Sequence, residues 1–154
     1  MKLAISLLAV VSLIVTGVPA LQVSAQDISN TPTSYPFGAI SAGEIKDTGL
    51  DYFTVTNDSA VSVNITISGT NMTGGVDWVL SDDATSGNNT YGLIAGLESE
   101  SYNITVRRTG PFNTLVSGLA ESGNQSWGLQ LLAPTSFSDG EVKTGTVTLT
   151  ATQG

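Results

Sequence analysis

Along Val61-Ser62-Val63-Asn64-Ile65-Thr66-Ile67-Ser68 apolar and polar residues alternate without a break. A period of two puts one set of side chains on a packed face and the other in water, which is the pattern of a half-buried β-strand. The same alternation runs through Ser101 to Arg107 and Gly145 to Ala151. Shorter segments of the same character are Tyr35–Ile40, Asp51–Thr56, Val76–Leu80, Tyr91–Ala95, Asn113–Ser117 and Ser126–Leu132. Between them stand turn-forming clusters, including Asn57-Asp58-Ser59, Gly74-Gly75, Ser86-Gly87-Asn88-Asn89, Gly110-Pro111, Ser122-Gly123-Asn124 and Ser138-Asp139-Gly140. No segment carries a capped helical stripe. Short strands at this spacing predict one all-β domain over residues 35–154, a β-sandwich of immunoglobulin-like or jelly-roll type. Its core is expected to hold Phe53, Val55, Val63, Ile65, Ile67, Trp78, Leu80, Tyr102, Ile104, Val106, Trp127, Leu129, Leu131, Val147 and Leu149.

The amino-terminal residues follow a different rule. Lys2 precedes an uncharged stretch from Leu3 to Gln26, and Val23-Ser24-Ala25 supplies small residues where a signal peptidase cuts. That order predicts a secretory signal over residues 1–25 and cleavage after Ala25. The competing expectation is an uncleaved anchor, since Leu3 to Val18 nearly reaches the length of a membrane span. Residues 26–34, polar and broken by Pro32, read as a flexible leader.

Removing 25 of the 154 residues leaves 129, enough for a single core. The chain has no cysteine, so neither disulfides nor a lipoprotein anchor are available, and packing and sheet hydrogen bonds must supply stability. The end Thr148 to Gly154 reads as a closing strand without an apolar tail. No stable membrane span is therefore expected after cleavage. Loss of Lys2 leaves four basic residues against 13 acidic ones, a formal charge of −9. Such a chain repels nucleic acid and anionic membranes.

Catalytic chemistry finds little purchase. Histidine is absent, which removes the usual general base, the Ser-His-Asp triad and the common transition-metal ligand. Asp47-Thr48-Gly49 spells the aspartic-protease triplet, but it occurs once, and Lys46 places a charge beside it; a turn is the expected use. Asp77, Asp82 and Asp83 are close enough in sequence to be considered as paired carboxylates. Asp82-Asp83 and the Asp139-Gly140-Glu141 turn offer oxygen ligands suited to calcium, without the spacing of a recognised loop. No catalytic residue and no cofactor are expected. Trp78 and Trp127, each in a Trp-x-Leu triplet, fit either a core or a platform for sugar rings.

Six sites match Asn-x-Ser/Thr: Asn57, Asn64, Asn71, Asn88, Asn103 and Asn124. In an exported chain these are candidate glycan acceptors, and Asn64 and Asn103 fall on the outward side of alternating strands. The same residues also suit turns and solvent-facing strand positions.

The run Phe37 to Glu44, followed by Phe53-Thr54-Val55-Thr56-Asn57-Asp58-Ser59, is similar to the opening of secreted immunoglobulin-like sandwiches. With the closing Val147-Thr148-Leu149-Thr150-Ala151-Thr152-Gln153 it resembles the TasA and camelysin group of biofilm-matrix fibre proteins and related archaeal pilins. That resemblance implies an extracellular or cell-surface structural protein that self-associates into a filament, sheath or matrix. Residues 26–34 would then be a possible donor strand for a neighbour, although Ile28 is the one large apolar residue there. The Trp-x-Leu pair resembles WxL cell-wall-binding domains, so the alternative expectation is a carbohydrate- or cell-wall-binding module.

Overall fold

The computed structural model describes residues 4–11 and 26–154. The cleavage point expected after Ala25 lies outside the described residues. Twelve strands and no helix make up the described chain: β1 (Ala4–Val11), β2 (Ile28–Thr31), β3 (Ser34–Ala39), β4 (Ile45–Asp47), β5 (Phe53–Asn57) and β6 (Val63–Gly69) come first. They are followed by β7 (Val79–Leu80), β8 (Thr90–Leu97), β9 (Ile104–Thr105), β10 (Asn113–Leu119), β11 (Asn124–Leu132) and β12 (Lys143–Gln153). One sheet runs β10-β6-β12-β1-β3; the other runs β2-β5-β11-β8-β7, with β4 paired to β11 and β9 to β8. The all-β expectation holds.

Alternation builds the layers. In β6 the buried residues are Val63, Ile65, Ile67 and Gly69, and the intervening Asn64, Thr66 and Ser68 are only partly covered. Its partner β12 sets Val147 and Leu149 inward, in register opposite Gly69 and Ile67. Facing them, β5 contributes Phe53 and Val55, and β11 contributes Trp127, Leu129 and Leu131. Phe53 stacks on Trp127 with ring centroids 4.7 Å apart and planes 27° off parallel. Thirteen of the fifteen core residues expected from the pattern are buried; Tyr102 and Ile104 are only partly so.

Two differences from the sequence reading matter. Ser101 to Arg107 is not a full strand: only Ile104 and Thr105 join a ladder, opposite Ala95 and Ile94. Residues 28–31, expected within a flexible leader, form β2 and pair antiparallel with β5, burying Ile28 and Asn30. Asn30 there serves the core directly, because its Oδ1 accepts a hydrogen bond of 2.9 Å from Trp127 Nε1. The backbone of β1 runs parallel to β12 from Ile5↔Lys143 to Val11↔Leu149 and antiparallel to β3 from Ala4↔Ala39 to Leu8↔Ser34. Among the described residues no helix is long and apolar enough to cross a membrane.

Candidate functional site

The candidate carboxylates lie in the loops around β7 and before β12, and Asp82, Asp83 and Asp139 are engaged by protein donors. Asp82 Oδ1 accepts from the amides of Arg108 (2.6 Å) and Thr109 (3.0 Å), and its Oδ2 accepts from the Thr109 hydroxyl. It thereby fastens the 108–109 turn to the end of β7. Asp83 closes its own turn, accepting from the Ser81 hydroxyl, the Thr85 hydroxyl at 2.7 Å and the Thr85 amide at 3.3 Å. Asp139 accepts from Lys143 Nζ at 2.7 Å and from the Val76 amide at 2.5 Å. Glu141 and Asp77 are exposed. Among the described residues no three His, Cys, Asp or Glu side chains are grouped to hold a metal ion. The calcium candidates Asp82, Asp83, Asp139 and Glu141 are thus not brought together as a ligand set: the first three are loop fasteners.

These donors hold all three carboxyls below the ordinary aspartate range. The leading cause is the Thr109 hydroxyl for Asp82, the Ser81 hydroxyl for Asp83 and the Lys143 ammonium for Asp139. A carboxyl whose pKa is lowered by folding stabilises the fold above its unfolded value, and that contribution is lost as pH falls through the folded value. Thermal melts taken from pH 7 downward should therefore show stability falling below about pH 4. Asp139→Asn should flatten that acid limb while lowering stability at pH 7. An acid limb identical to that of the parent chain would rule out this role for Asp139.

Lys143 was not anticipated. It is fully buried at the start of β12, where Nζ donates to the Gly74 carbonyl and to Asp139. A buried ammonium is tolerated only when it is paired and hydrogen-bonded. The pair ties the Gly74-Gly75 turn to the 139–143 loop. No sequence signal marks it, because Lys143 occupies an apolar phase of the strand pattern with a polar residue.

Beside this anchor lies an open cleft of about 540 Å³ lined by Gly69, Thr70, Asn71, Thr73, Asp77, Arg108, Thr144 and Thr146. Its frame is rigid. Thr73 and Thr144 exchange backbone hydrogen bonds of 2.9 Å, Thr70 Oγ1 accepts from the Thr146 amide at 3.0 Å, and Tyr91 OH donates to the Thr70 carbonyl at 2.6 Å. Burial pushes the Tyr91 phenol far above its ordinary value, so this contact is a permanent donor. The cleft's hydroxyls, one guanidinium and one carboxylate can hydrogen-bond a polar ligand.

The protease-like triplet is structural. Thr48 exchanges hydrogen bonds with the backbone of Leu129: its amide donates to the Leu129 carbonyl, and its Oγ1 accepts from the Leu129 amide, both at 2.9 Å. Asp47 Oδ1 accepts from the Gly49 amide at 3.1 Å. Gly128 lies so close beneath that a Cβ there would overlap the Gly49 carbonyl. Burial first, and the Asp47 carboxylate second, hold the neighbouring Tyr102 phenol above its ordinary value.

The six sequons divide. Asn57 is fully buried: its Nδ2 donates to the carbonyls of Val61 (2.8 Å), Leu119 (2.9 Å) and Ala120 (3.0 Å), and its Oδ1 accepts from the Ser59 amide and hydroxyl. A glycan needs that nitrogen free, so the expectation for Asn57 is corrected: it is a core residue. Asn64 and Asn71 are half-buried, with Oδ1 held by Gly118 N (2.8 Å) and Leu80 N (3.1 Å) respectively. Asn88, Asn103 and Asn124 are exposed. Trp78 and Trp127 are both at 0 % exposure, so neither offers a face to a sugar ring.

No protein-family model matches the chain, and no curated protein matches it.

Proposed function

We propose that this chain is a secreted or cell-surface structural protein, a self-assembling subunit of an extracellular filament, sheath or matrix, and that it is not an enzyme. The observation that carries the reading is how the candidate chemistry is used. The Asp82, Asp83 and Asp139 carboxylates, the Thr48 hydroxyl and the buried lysine all hold loops to strands. Thr, Ser and Asn stand outward along the strands, together with the sheets' own hydrogen-bonding capacity. The competing reading, a carbohydrate- or cell-wall-binding module that stacks sugars on tryptophan, loses its premise with both indoles buried.

The formal charge of −8 sets the expected conditions. Like-charged subunits repel at low ionic strength, and salt with a Debye length of about 8 Å at physiological strength screens that repulsion. Purified protein should therefore pass from monomer to large assemblies as salt and concentration rise, seen by size-exclusion chromatography and as regular fibres or sheets by electron microscopy. A monodisperse monomer at millimolar concentration in both low and high salt would sink the proposal.

A further inference from the structure

The cleft beside the Lys143 anchor holds two opposite charges that do not meet. Arg108 and Asp77 both line it, yet the ion pairs among the described residues are Lys46 with Glu44 and Lys143 with Asp139. Four basic residues follow Gln26. Lys46 donates to the Phe37 and Ala39 carbonyls, Arg107 to the Pro111 carbonyl, and Lys143 to Gly74 and Asp139. Among the described residues the Arg108 guanidinium has no protein acceptor in hydrogen-bond reach; only its backbone amide is engaged, by Asp82. We infer that this cleft binds a carbohydrate carrying a single carboxylate, a uronic acid residue, with Arg108 taking the carboxylate and Asp77 and the threonine hydroxyls taking the ring hydroxyls. The inference goes beyond the assembly reading and does not depend on it, and every lining residue lies outside the stretch read as an export signal.

The lining selects this chemistry. A guanidinium presents a planar fork of N–H donors that matches the two oxygens of a carboxylate. Asp77, exposed and on the same cleft, limits how much negative charge can enter. A phosphate- or sulfate-rich ligand would set its further charges against that carboxylate and against a chain of formal charge −8. One carboxylate on a neutral, hydroxyl-rich body avoids this, because its O–H groups donate to Asp77. The hydroxyls of Thr73, Thr144 and Thr146 line the cleft too, and the frame does not use them: Thr73 and Thr144 are joined through their backbones, and Thr146 through its amide. Each such hydroxyl can donate and accept, and the methyl beside it offers carbon surface to the C–H face of a ring. Thr144 and Thr146 stand on one side of β12, alternating with buried residues and about 7 Å apart along the strand. The cleft's volume of about 540 Å³ is that of a small-ligand pocket. No aromatic residue lines it, so this mode of sugar binding needs neither buried indole.

The test is titration of the isotope-labelled full chain with glucuronate, glucose, acetate and triglycine, followed by amide NMR shifts. The expected result is shifts confined to residues 70–77, 108 and 144–146, with glucuronate bound about tenfold more tightly than glucose. Arg108→Gln should bring glucuronate down to the level of glucose without loss of fold, since the side chain is exposed and only the backbone amide holds its turn. Thr144→Val, which keeps the β-branched shape and removes the hydroxyl, should weaken both sugars alike. Acetate bound as tightly as glucuronate would overturn the inference, because the ring hydroxyls would then contribute nothing. Triglycine bound as tightly would overturn it in favour of a peptide. No shift with glucuronate at tens of millimolar, or unchanged affinity in Arg108→Gln, would also remove it. Fibres formed by protein that binds no glucuronate would leave the assembly reading standing and sink this one; binding by a permanent monomer would do the reverse.

Discussion

Replacing Asn57 with Ala should lower the unfolding free energy by about 3 kcal/mol or more, the combined result of several buried polar groups losing a shared partner. The Asn57 side chain is the hub where the turn after β5 meets the end of β10. Its amide nitrogen serves the Val61, Leu119 and Ala120 carbonyls, and its oxygen serves Ser59. Water cannot replace it, since the residue is fully buried. Asn57→Asp should be worse than Ala, because a carboxylate cannot donate and would face three carbonyl oxygens. Chemical denaturation of the purified variants measures both. A loss under 1 kcal/mol for Asn57→Ala would mean the hub does not hold. The same geometry makes a second prediction in a glycosylating host: peptide mapping should find sugar at the exposed Asn88, Asn103 or Asn124 and none at Asn57.

Trp127→Ala should be about as damaging, costing about 3–5 kcal/mol through the lost transfer energy and the cavity left behind. The indole stacks on Phe53 and is entirely enclosed. Its effect should also travel to the amino-terminal side. Asn30 Oδ1 receives the indole N–H, while Asn30 Nδ2 donates to the Pro32 carbonyl at 3.0 Å. Without the indole, β2 keeps four residues of pairing to β5 and the buried Ile28 but loses the hydrogen bond that ties Asn30 to the core. Limited proteolysis should then cut near residues 26–34 well before the rest of the domain. Trp127→Phe, which keeps the ring and removes only the N–H, should retain most of the stability and still expose that segment. Equal protease resistance in Trp127→Phe and the parent would show that β2 is held by its ladder alone.

Where a strand's pattern depends only on its neighbours in sequence, it was legible. The alternation from Val61 to Ser68 located β6, and the expected segments Ser126–Leu132 and Val76–Leu80 located β11 and the short outer strand β7, with bounds off by up to three residues. What escaped depends on distant partners. Ile28-Ser29-Asn30-Thr31 has a single large apolar residue, and it becomes a strand because β5 has an edge and Trp127 has a donor to satisfy. Ser101 to Arg107 alternates as well as β6 does, but only two of its residues find a ladder partner. The same limit applies to the candidate site. A sequon at Asn57 reads like the sequon at Asn88, and only carbonyls more than sixty residues away decide that one is core and the other surface. Lys143 looks like a surface residue until Gly74 and Asp139 are seen to enclose it.

The central position of β12 has a further consequence, for the order in which the molecule is built. β12 lies between β6 and β1, opposite β6 residues some eighty positions earlier, so the middle of that sheet is set by pairings distant in sequence. Contacts of such separation form late and slowly, because loop closure must precede any gain from pairing.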